Sequence, residues 1–295
     1  MIRLNTSYSP DFYFLISYCS FIGMSTVNSG SCIFSSKNDC SFSIINCVFN
    51  DCFTTSLDSA GGAIYAVNCN RISIQFGCSY RCYALHIGMF AYINASEVNK
   101  LEYYTIIECC PNREGKYHAF YVSGGSFICK NHNSTKNYPQ RDTGVWRSNC
   151  KTTSMSFCTV YRVSSIILVF LNESIGVIQS CNFAHNDDNT STHSMFYSLG
   201  ASVYNLNDCY FKNNNFAHLF KLSGYMTIVN CYFDSDIGPA SYVTIQSTIS
   251  GYMATTLAIN HINTAVCHGE LPFQMTYRTI TKKNLLVFLT ASIFN

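Results

Sequence analysis

Five segments of the chain share one pattern of apolar positions around a cysteine. Ile or Leu lies three residues before the cysteine and Phe lies two residues after it. The predicted inward positions are Ile16, Cys19, Phe21, Ile44, Cys47, Phe49, Ile178, Cys181, Phe183, Leu206, Cys209, Phe211, Ile228, Cys231 and Phe233. Because side chains alternate between the two faces of a strand, the odd step from Ile to Cys requires a corner. Each copy therefore predicts a strand, a corner and a second strand.

The residue directly before each cysteine indicates how the corner is made. These residues are Tyr18, Asn46, Ser180, Asp208 and Asn230. Asn and Asp tolerate the left-handed backbone conformation that tight corners require. We therefore expect each corner to lie at this position.

The distance between copies predicts the fold class. Cys19 and Cys47 are 28 residues apart, and Cys209 and Cys231 are 22 residues apart. Such a unit is too short for a propeller blade of about 40 residues, and it lacks the spaced Leu and helical half of a leucine-rich repeat. We predict an all-β fold, a right-handed single-stranded parallel β-helix of about nine or ten coils. The repeat domain would cover residues 1–270, with residues 271–295 as a C-terminal cap or tail.

Composition excludes several classes of protein. Only 12% of the 295 residues are charged, whereas an ordinary soluble domain has about 25%. Hydrophobic residues make up 48%, which is too many for a disordered chain. The net charge is +2 and no cluster of Lys and Arg occurs, so nucleic acid is not expected as a partner.

The chain has 17 cysteines, and those of the repeat are interpreted as buried thiols. Equivalent residues of adjacent coils lie about 4.8 Å apart with parallel Cα–Cβ bonds, a geometry that bridges poorly. Cysteines outside the repeat register remain open to pairing, namely Cys32, Cys40, Cys52, Cys110 and Cys150. No zinc-type CxxC pair and no signature of a catalytic cysteine is present, so neither a metal nor another cofactor is expected.

Both ends of the chain contain apolar stretches. Residues 12–24 have half of a signal-peptide pattern, since Arg3 precedes them, but they also match the repeat, which is the preferred interpretation. Residues 285–294 are too few to span a membrane, which takes about 20. No transmembrane segment is predicted.

Two short motifs resemble those of a known family. Residues 61–64 read Gly-Gly-Ala-Ile, and residues 183–186 and 211–214 match Phe-x-x-Asn. The chain thus resembles the chlamydial polymorphic membrane proteins and similar surface families of parasitic protists. The resemblance implies a non-catalytic β-helix at the cell surface or secreted, an adhesive or antigenic scaffold whose partners are host or cell-surface glycans or proteins. Gly124-Gly125 only approximates the glycine motif, and no C-terminal translocator barrel is predicted from the sequence.

A polysaccharide-acting enzyme, similar to pectin lyases or polygalacturonases, is the alternative. Hydrolysis of a glycan needs two carboxylates that face each other across a sugar. The candidates are Asp187, Asp188, Asp234 and Asp236, although each directly follows a repeat and is explained by a solvated turn. We expect them to be dispersed.

Surface chemistry offers two further expectations. Tyr103, Tyr104, Tyr117 and Tyr121 are candidates for patches that contact sugars or proteins, although partly buried stacking along strands is the preferred interpretation. Asn-x-Ser/Thr sequons, which would carry N-linked glycans in a secretory pathway, occur at Asn5, Asn94, Asn133, Asn172 and Asn189. Asn133 is the preferred site, because residues 130–141 are predicted to form a polar loop between coils.

Overall fold

The fold of the chain was determined as a computed structural model. The structure describes residues 2–4, 13–36, 38–110, 118–139, 143–188, 194–235, 237, 242–248 and 287–289. These residues contain no helix, and 25 of the 27 strands belong to one sheet in which all neighbouring strands are parallel. The predicted all-β parallel solenoid is confirmed.

Each coil has three sides, and each side is a ladder of paired strands. The first side contains β1 (Ile2–Leu4), β5 (Ile33–Ser35), the beginnings of β9 (Ile64–Tyr80) and β10 (Ala91–Ile107), β11 (Phe120–Ser123), β14 (Thr143–Asn149), β17 (Ile167–Asn172), β20 (Ser194–Leu199) and β23 (His218–Leu222).

The second side contains β2 (Tyr13–Ser17), β6 (Ser41–Ile45), the middles of β9 and β10, β12 (Ser126–Lys130), β15 (Thr152–Ser156), β18 (Ile175–Gln179), β21 (Val203–Asn207), β24 (Tyr225–Val229) and β26 (Val243–Ile245). The third side contains β3 (Ser20–Ile22), β7 (Val48–Asn50), the ends of β9 and β10, β13 (Asn133–Thr135), β16 (Thr159–Tyr161), β19 (Asn182–Ala184), β22 (Tyr210–Lys212) and β25 (Tyr232–Phe233).

Three strands lie outside these ladders. β4 (Ser25–Thr26) and β8 (Phe53–Thr54) form a separate two-stranded sheet. β27 (Val287–Leu289) pairs with the free edge of β2, so the C-terminal part of the chain contributes a strand next to the first coil. The predicted boundary between residues 270 and 271 lies outside the described residues. No helix in the described ranges is both long and apolar enough to cross a membrane.

The solenoid has about seven turns, slightly fewer than the nine or ten expected. From Ile64 to Phe233, seven successive turns each have a strand on all three sides. After Phe233, the described residues continue the second side through β26.

The repeat pattern coincides with the pairing register. Ile16 is paired with Ile44 on the second side, and Phe21 is paired with Phe49 on the third side. Of the fifteen predicted inward positions, Phe21 and Phe233 are partly buried and pack against the core, and the other thirteen are buried. The repeat thus stacks like residues on like residues along one continuous core.

The predicted corners are present. Tyr18 has a φ of 54°, and Asn46, Ser180, Asp208 and Asn230 each have a φ of 53°. These values lie in the left-handed region that non-glycine residues rarely adopt. The residue before each repeat cysteine therefore makes the corner between the second and third sides.

Large aromatic side chains are accommodated in the core in two ways. Phe183, Phe211 and Phe233 are stacked with ring centroids 5.0 and 4.6 Å apart. In the middle coils the buried ring of Tyr104 occupies the space beside Gly77, where an added Cβ would come within 2.9 Å of that ring. Gly77 thus compensates for the large neighbour, and the packing volume is conserved while the residue types change.

Candidate functional site

Side chains at the corners place hydrogen-bonding groups inside the solenoid. At the corner between the second and third sides, the residue that follows the one with a positive φ is buried. In six coils this residue is Cys. We call these residues the cysteine column: Cys19, Cys47, Cys158, Cys181, Cys209 and Cys231. Gly77, Tyr104 and His132 occupy the same column in the three coils between Cys47 and Cys158.

Thiols of the cysteine column donate hydrogen bonds to backbone carbonyls. Sγ of Cys47 lies 3.4 Å from the carbonyl oxygen of Ile45 in its own coil and 3.6 Å from that of Ile16 in the preceding coil. Sγ of Cys231 has the same contacts at 3.4 Å with Val229 and Leu206. Buried carbonyl groups need a donor, and the single thiol hydrogen is shared between the two acceptors.

A second column repeats this arrangement at the end of the third side. Its members, which we call the mixed column, are Cys52, Cys82, Cys109, Asn137, Val163, Asn186 and Asn214, of which all but Val163 are cysteine or asparagine. Sγ of Cys52 lies 3.3 Å from the carbonyl oxygens of both Asn50 and Phe21. Cysteine here occupies the position that asparagine occupies in later coils. Both side chains donate a hydrogen bond to a backbone carbonyl oxygen.

The asparagines of the Phe-x-x-Asn motifs belong to the mixed column. Nδ2 of Asn186 donates to the carbonyl oxygen of Val160 at 3.1 Å, and its Oδ1 accepts from the backbone N–H of Val163 at 3.0 Å. Asn137 makes the equivalent pair of bonds with Ile106 at 3.1 Å and Cys109 at 2.8 Å. Asn186 therefore caps a corner, and its further bond with Asn214 stacks the two amides along the column.

The electrostatic environment of Cys181 and Cys82 keeps these two thiols protonated. Burial raises the pKa of Cys181 well above its usual value, and hydrogen bonds with Cys158 and Cys209 act in the same direction. The pKa of Cys82 is raised in the same way by burial and by the thiols of Cys109 and Cys52. Only the thiolate is a nucleophile or a metal ligand. These thiols are therefore suited to packing and to hydrogen bonding.

No disulfide joins the sixteen cysteines in the described ranges, and all sixteen are buried. Cys267 lies outside those ranges. Among the same residues, no group of three or more His, Cys, Asp or Glu side chains is arranged to hold a metal ion.

The candidate carboxylates have separate local contacts. Asp187 accepts a hydrogen bond from Oγ of Ser164 at 3.0 Å, and Asp188 is buried. Asp234 is exposed and accepts from the backbone N–H of Asn213 at 2.7 Å. Asp236 lies outside the described residues. Asp187 and Asp234 therefore make their hydrogen bonds at two different corners, which lie two coils apart along the solenoid.

The candidate tyrosines do not form one patch. Tyr104 is buried, whereas Tyr103 is exposed and stacks on Phe76 with centroids 4.9 Å apart. Tyr121 lies on the first side and stacks on Tyr92 at 4.5 Å. Tyr103 and Tyr121 thus stack on aromatic neighbours in adjacent coils, as preferred from the sequence, and Tyr104 is not available at the surface. Tyr117 lies outside the described residues.

Three of the five sequons can be placed. Asn133 begins β13 and pairs with Thr105 and Thr159 on either side, so the prediction that it lies in a polar loop is wrong. Asn94 lies within β10 and donates to Oγ of Ser123 at 2.8 Å, and Asn172 ends β17 half-buried. Asn5 and Asn189 lie outside the described residues.

The Asp or Asn that marks the corner before a repeat cysteine also occurs outside the five repeat copies. Asp or Asn directly precedes Cys at residues 39–40, 46–47, 51–52, 68–69, 149–150, 208–209 and 230–231. In six of these seven pairs the first residue has a positive φ, between 50° and 62°. The dipeptide therefore marks corners on all three sides and would have revealed Cys40, Cys52 and Cys69 as corner residues.

Comparison with known proteins assigns no family, because no protein-family model, no curated protein and no solved structure matches the chain.

Proposed function

We propose that this chain is a non-catalytic scaffold, displayed at a cell surface or secreted, that serves in adhesion or as a variable antigen. The observation that supports it is a contrast between paired positions on the second side. Outward positions change chemistry from coil to coil, from Ser73 to Lys100, Ile128, Ser154 and Val177.

The inward positions beside them stay buried, and most are apolar. They are Ile74, Leu101, Cys129, Met155 and Ile178. Because each coil is held together by its inward residues and its corners, the fold places little restriction on outward side chains. A rod of this kind can vary its surface while its core is retained, which is the property that a surface antigen or an adhesin needs.

The motifs that carry the family resemblance support the proposal in the same way. Gly61 has a φ of 65°, and a Cβ on Gly62 would collide with the carbonyl oxygen of Met89 in the next coil. Asn186 and Asn214 hold the corners of the mixed column. Both motifs therefore build coils, and the surface location and the glycan or protein partners are inferred from the resemblance.

Labelling of living cells tests the location. Cells of the source organism would be treated with a membrane-impermeant amine-reactive biotin, and the chain would be captured with an antibody raised against the recombinant solenoid. We expect biotin on the chain but not on a cytosolic control protein. Protection of the chain in intact cells, with labelling only after lysis, would contradict surface display.

A separate assay tests the absence of catalysis. Recombinant protein would be incubated with pectin and polygalacturonate, and new reducing ends and unsaturated products would be measured. We expect no release above a heat-denatured control. Release of these products by the wild type and its loss in the Asp187→Asn variant would contradict the scaffold proposal and favour the polysaccharide-acting enzyme.

A further inference from the structure

Two cysteines on neighbouring coils approach each other closely. Sγ of Cys40 and Sγ of Cys69 are 3.5 Å apart, and both residues are buried. Each directly follows a left-handed residue, Asp39 with a φ of 61° and Asn68 with a φ of 62°. The pair therefore lies at the corner between the first and second sides of two successive coils.

The pair is offset from the strand register. Ser41 is paired with Arg71, so the in-register neighbour of Cys40 is Asn70, whose N–H donates to the carbonyl oxygen of Cys40 at 2.7 Å. Cys69 lies one residue before that neighbour. The parallel Cα–Cβ bonds that disfavour a disulfide between in-register residues therefore do not describe this pair.

The pair also lies directly beneath an exposed turn. Asn38, Asp39 and Asn68 are exposed, and Cys40 lies in the turn between β5 and β6, whereas Cys69 lies within β9. Opening of that turn uncovers Cys40, and Cys69 is the thiol 3.5 Å from it. Corners and turns open at lower free energy than strands that are paired on both sides.

A second pair provides a natural comparison. Sγ of Cys129 and Sγ of Cys158 are 3.8 Å apart. Cys129 lies inside β12, which is paired with β10 on one side and β15 on the other. Cys69 lies inside β9 in the same way, so the two pairs differ at their other members. Cys158 lies in a two-residue corner between β15 and β16, whereas Cys40 ends a five-residue turn between β5 and β6, which makes Cys40 the more accessible thiol.

We propose that Cys40 and Cys69 are a redox-active pair that closes to an inter-coil disulfide in the presence of a small disulfide such as oxidised glutathione. The thiolate of one cysteine attacks glutathione disulfide, forms a mixed disulfide and releases one glutathione. The second cysteine, after losing its proton to solvent, attacks the protein-side sulfur and releases the other glutathione. Two protein thiols are oxidised and one glutathione disulfide is reduced to two glutathione molecules.

Closure would join the coils on either side of a 29-residue segment of chain. It would replace the thiol hydrogen bond from Cys69 to the carbonyl oxygen of Val67, which is 3.4 Å long in the reduced protein. A covalent link of this kind restricts the unfolded chain and holds the two coils together. The inference does not depend on where the chain is displayed.

The test uses the full chain, purified with a reductant that is then removed. After incubation with oxidised glutathione, the protein is unfolded in N-ethylmaleimide, digested and analysed by mass spectrometry. We expect most molecules to contain Cys40 joined to Cys69, with both Cys129 and Cys158 alkylated. Recovery of Cys40 and Cys69 as alkylated thiols, or equal cross-linking of the two pairs, would overturn the proposal.

Two variants make the result specific. Cys69→Ser should abolish the cross-link and leave Cys40 carrying a stable glutathione adduct, whereas Cys158→Ser should leave the Cys40–Cys69 cross-link unchanged. Cross-linking of Cys40 to another cysteine at the same yield in Cys69→Ser would contradict the assignment. If Cys69→Ser does not fold, the wild-type peptide map decides the matter by itself. Oxidised wild type should also unfold at a higher temperature than the same sample treated with dithiothreitol.

Discussion

Nδ2 of Asn186 donates a hydrogen bond to Oδ1 of Asn214, one coil further along the solenoid, over 2.9 Å. Each of these amides also holds a backbone group of the preceding coil, Val160 for Asn186 and Phe183 for Asn214. Adjacent coils are thus joined by side chains inside the corner as well as by strand pairing outside it. The cysteines of the mixed column occupy the same position as these asparagines, so the same type of corner forms with either cysteine or asparagine.

This equivalence predicts the effect of changing Asn186. Asn186→Ala should lower the free energy of unfolding by about 3 kcal/mol, because it leaves buried groups such as the carbonyl of Val160 and the N–H of Val163 without partners. Asn186→Cys should cost less, since cysteine makes the donor contact at this position in earlier coils. Urea unfolding of the three proteins checks the order, and an Asn186→Cys variant as unstable as Asn186→Ala would contradict it.

A comparison of Gly23 with Gly61 distinguishes the cost of backbone strain from the cost of a steric collision. Gly23 and Gly61 have nearly equal φ values of 62° and 65°, but nothing lies within 4 Å of an added Cβ at Gly23. At Gly61 the added atom would collide with the carbonyl group of Ile64. Gly23→Ala should therefore cost about 1–2 kcal/mol, the usual left-handed penalty, and Gly61→Ala clearly more. Equal losses in thermal or urea unfolding would show that the close contact relaxes freely.

The stack of phenylalanines predicts a large effect in the core. Phe211 is buried between Phe183 and Phe233, so Phe211→Ala should lower the free energy of unfolding by about 3–5 kcal/mol. Asn205→Ala, on the exposed face of β21, should change it by no more than about 0.5 kcal/mol. Circular dichroism in urea distinguishes the two. A small loss at Phe211 would mean that this end of the rod is loosely packed.

Stability should fall at alkaline pH. The pKa values of Cys47, Cys82, Cys129 and Cys181 are raised in the folded protein, by burial first and by neighbouring thiols second. The unfolded chain loses its thiol protons near pH 8.5 while the folded chain keeps them, so the folded state is favoured below that pH and loses stability above it. The unfolding temperature should therefore decrease from about pH 8.5 upwards. A Cys181→Ala variant should show a shallower decrease, and an identical slope would contradict this account.

The parts of the fold that were predicted correctly are those that repeat. The spacing of Ile178, Cys181 and Phe183 contains both the alternation of a strand and the odd step of a corner, so one segment was enough to identify the coil. The corner at Ser180 followed from the same step. A local pattern that is reused in every coil needs no knowledge of distant contacts.

Features that depend on contacts between coils were not predictable in this way. The position of Asn133 in a strand follows from its pairing with Thr105 and Thr159, which its own polar surroundings do not indicate. The burial of Tyr104 depends on Gly77 in the preceding coil. The close approach of Cys40 and Cys69 depends on a one-residue offset in register. Each of these requires the alignment of two coils whose repeat units are irregular.

The central claim is that the buried cysteines are reduced thiols that hold the corners of the solenoid. It is tested most directly by alkylation with N-ethylmaleimide, before and after unfolding in the absence of reductant and of any added oxidant, followed by peptide mapping. We predict no adduct in the native protein at the fourteen described cysteines other than Cys40 and Cys69, and an adduct at all sixteen after unfolding. Cysteines that remain unmodified after unfolding would reveal disulfides, rapid modification of any of the fourteen in the native protein would reveal exposed thiols, and either result would contradict the account.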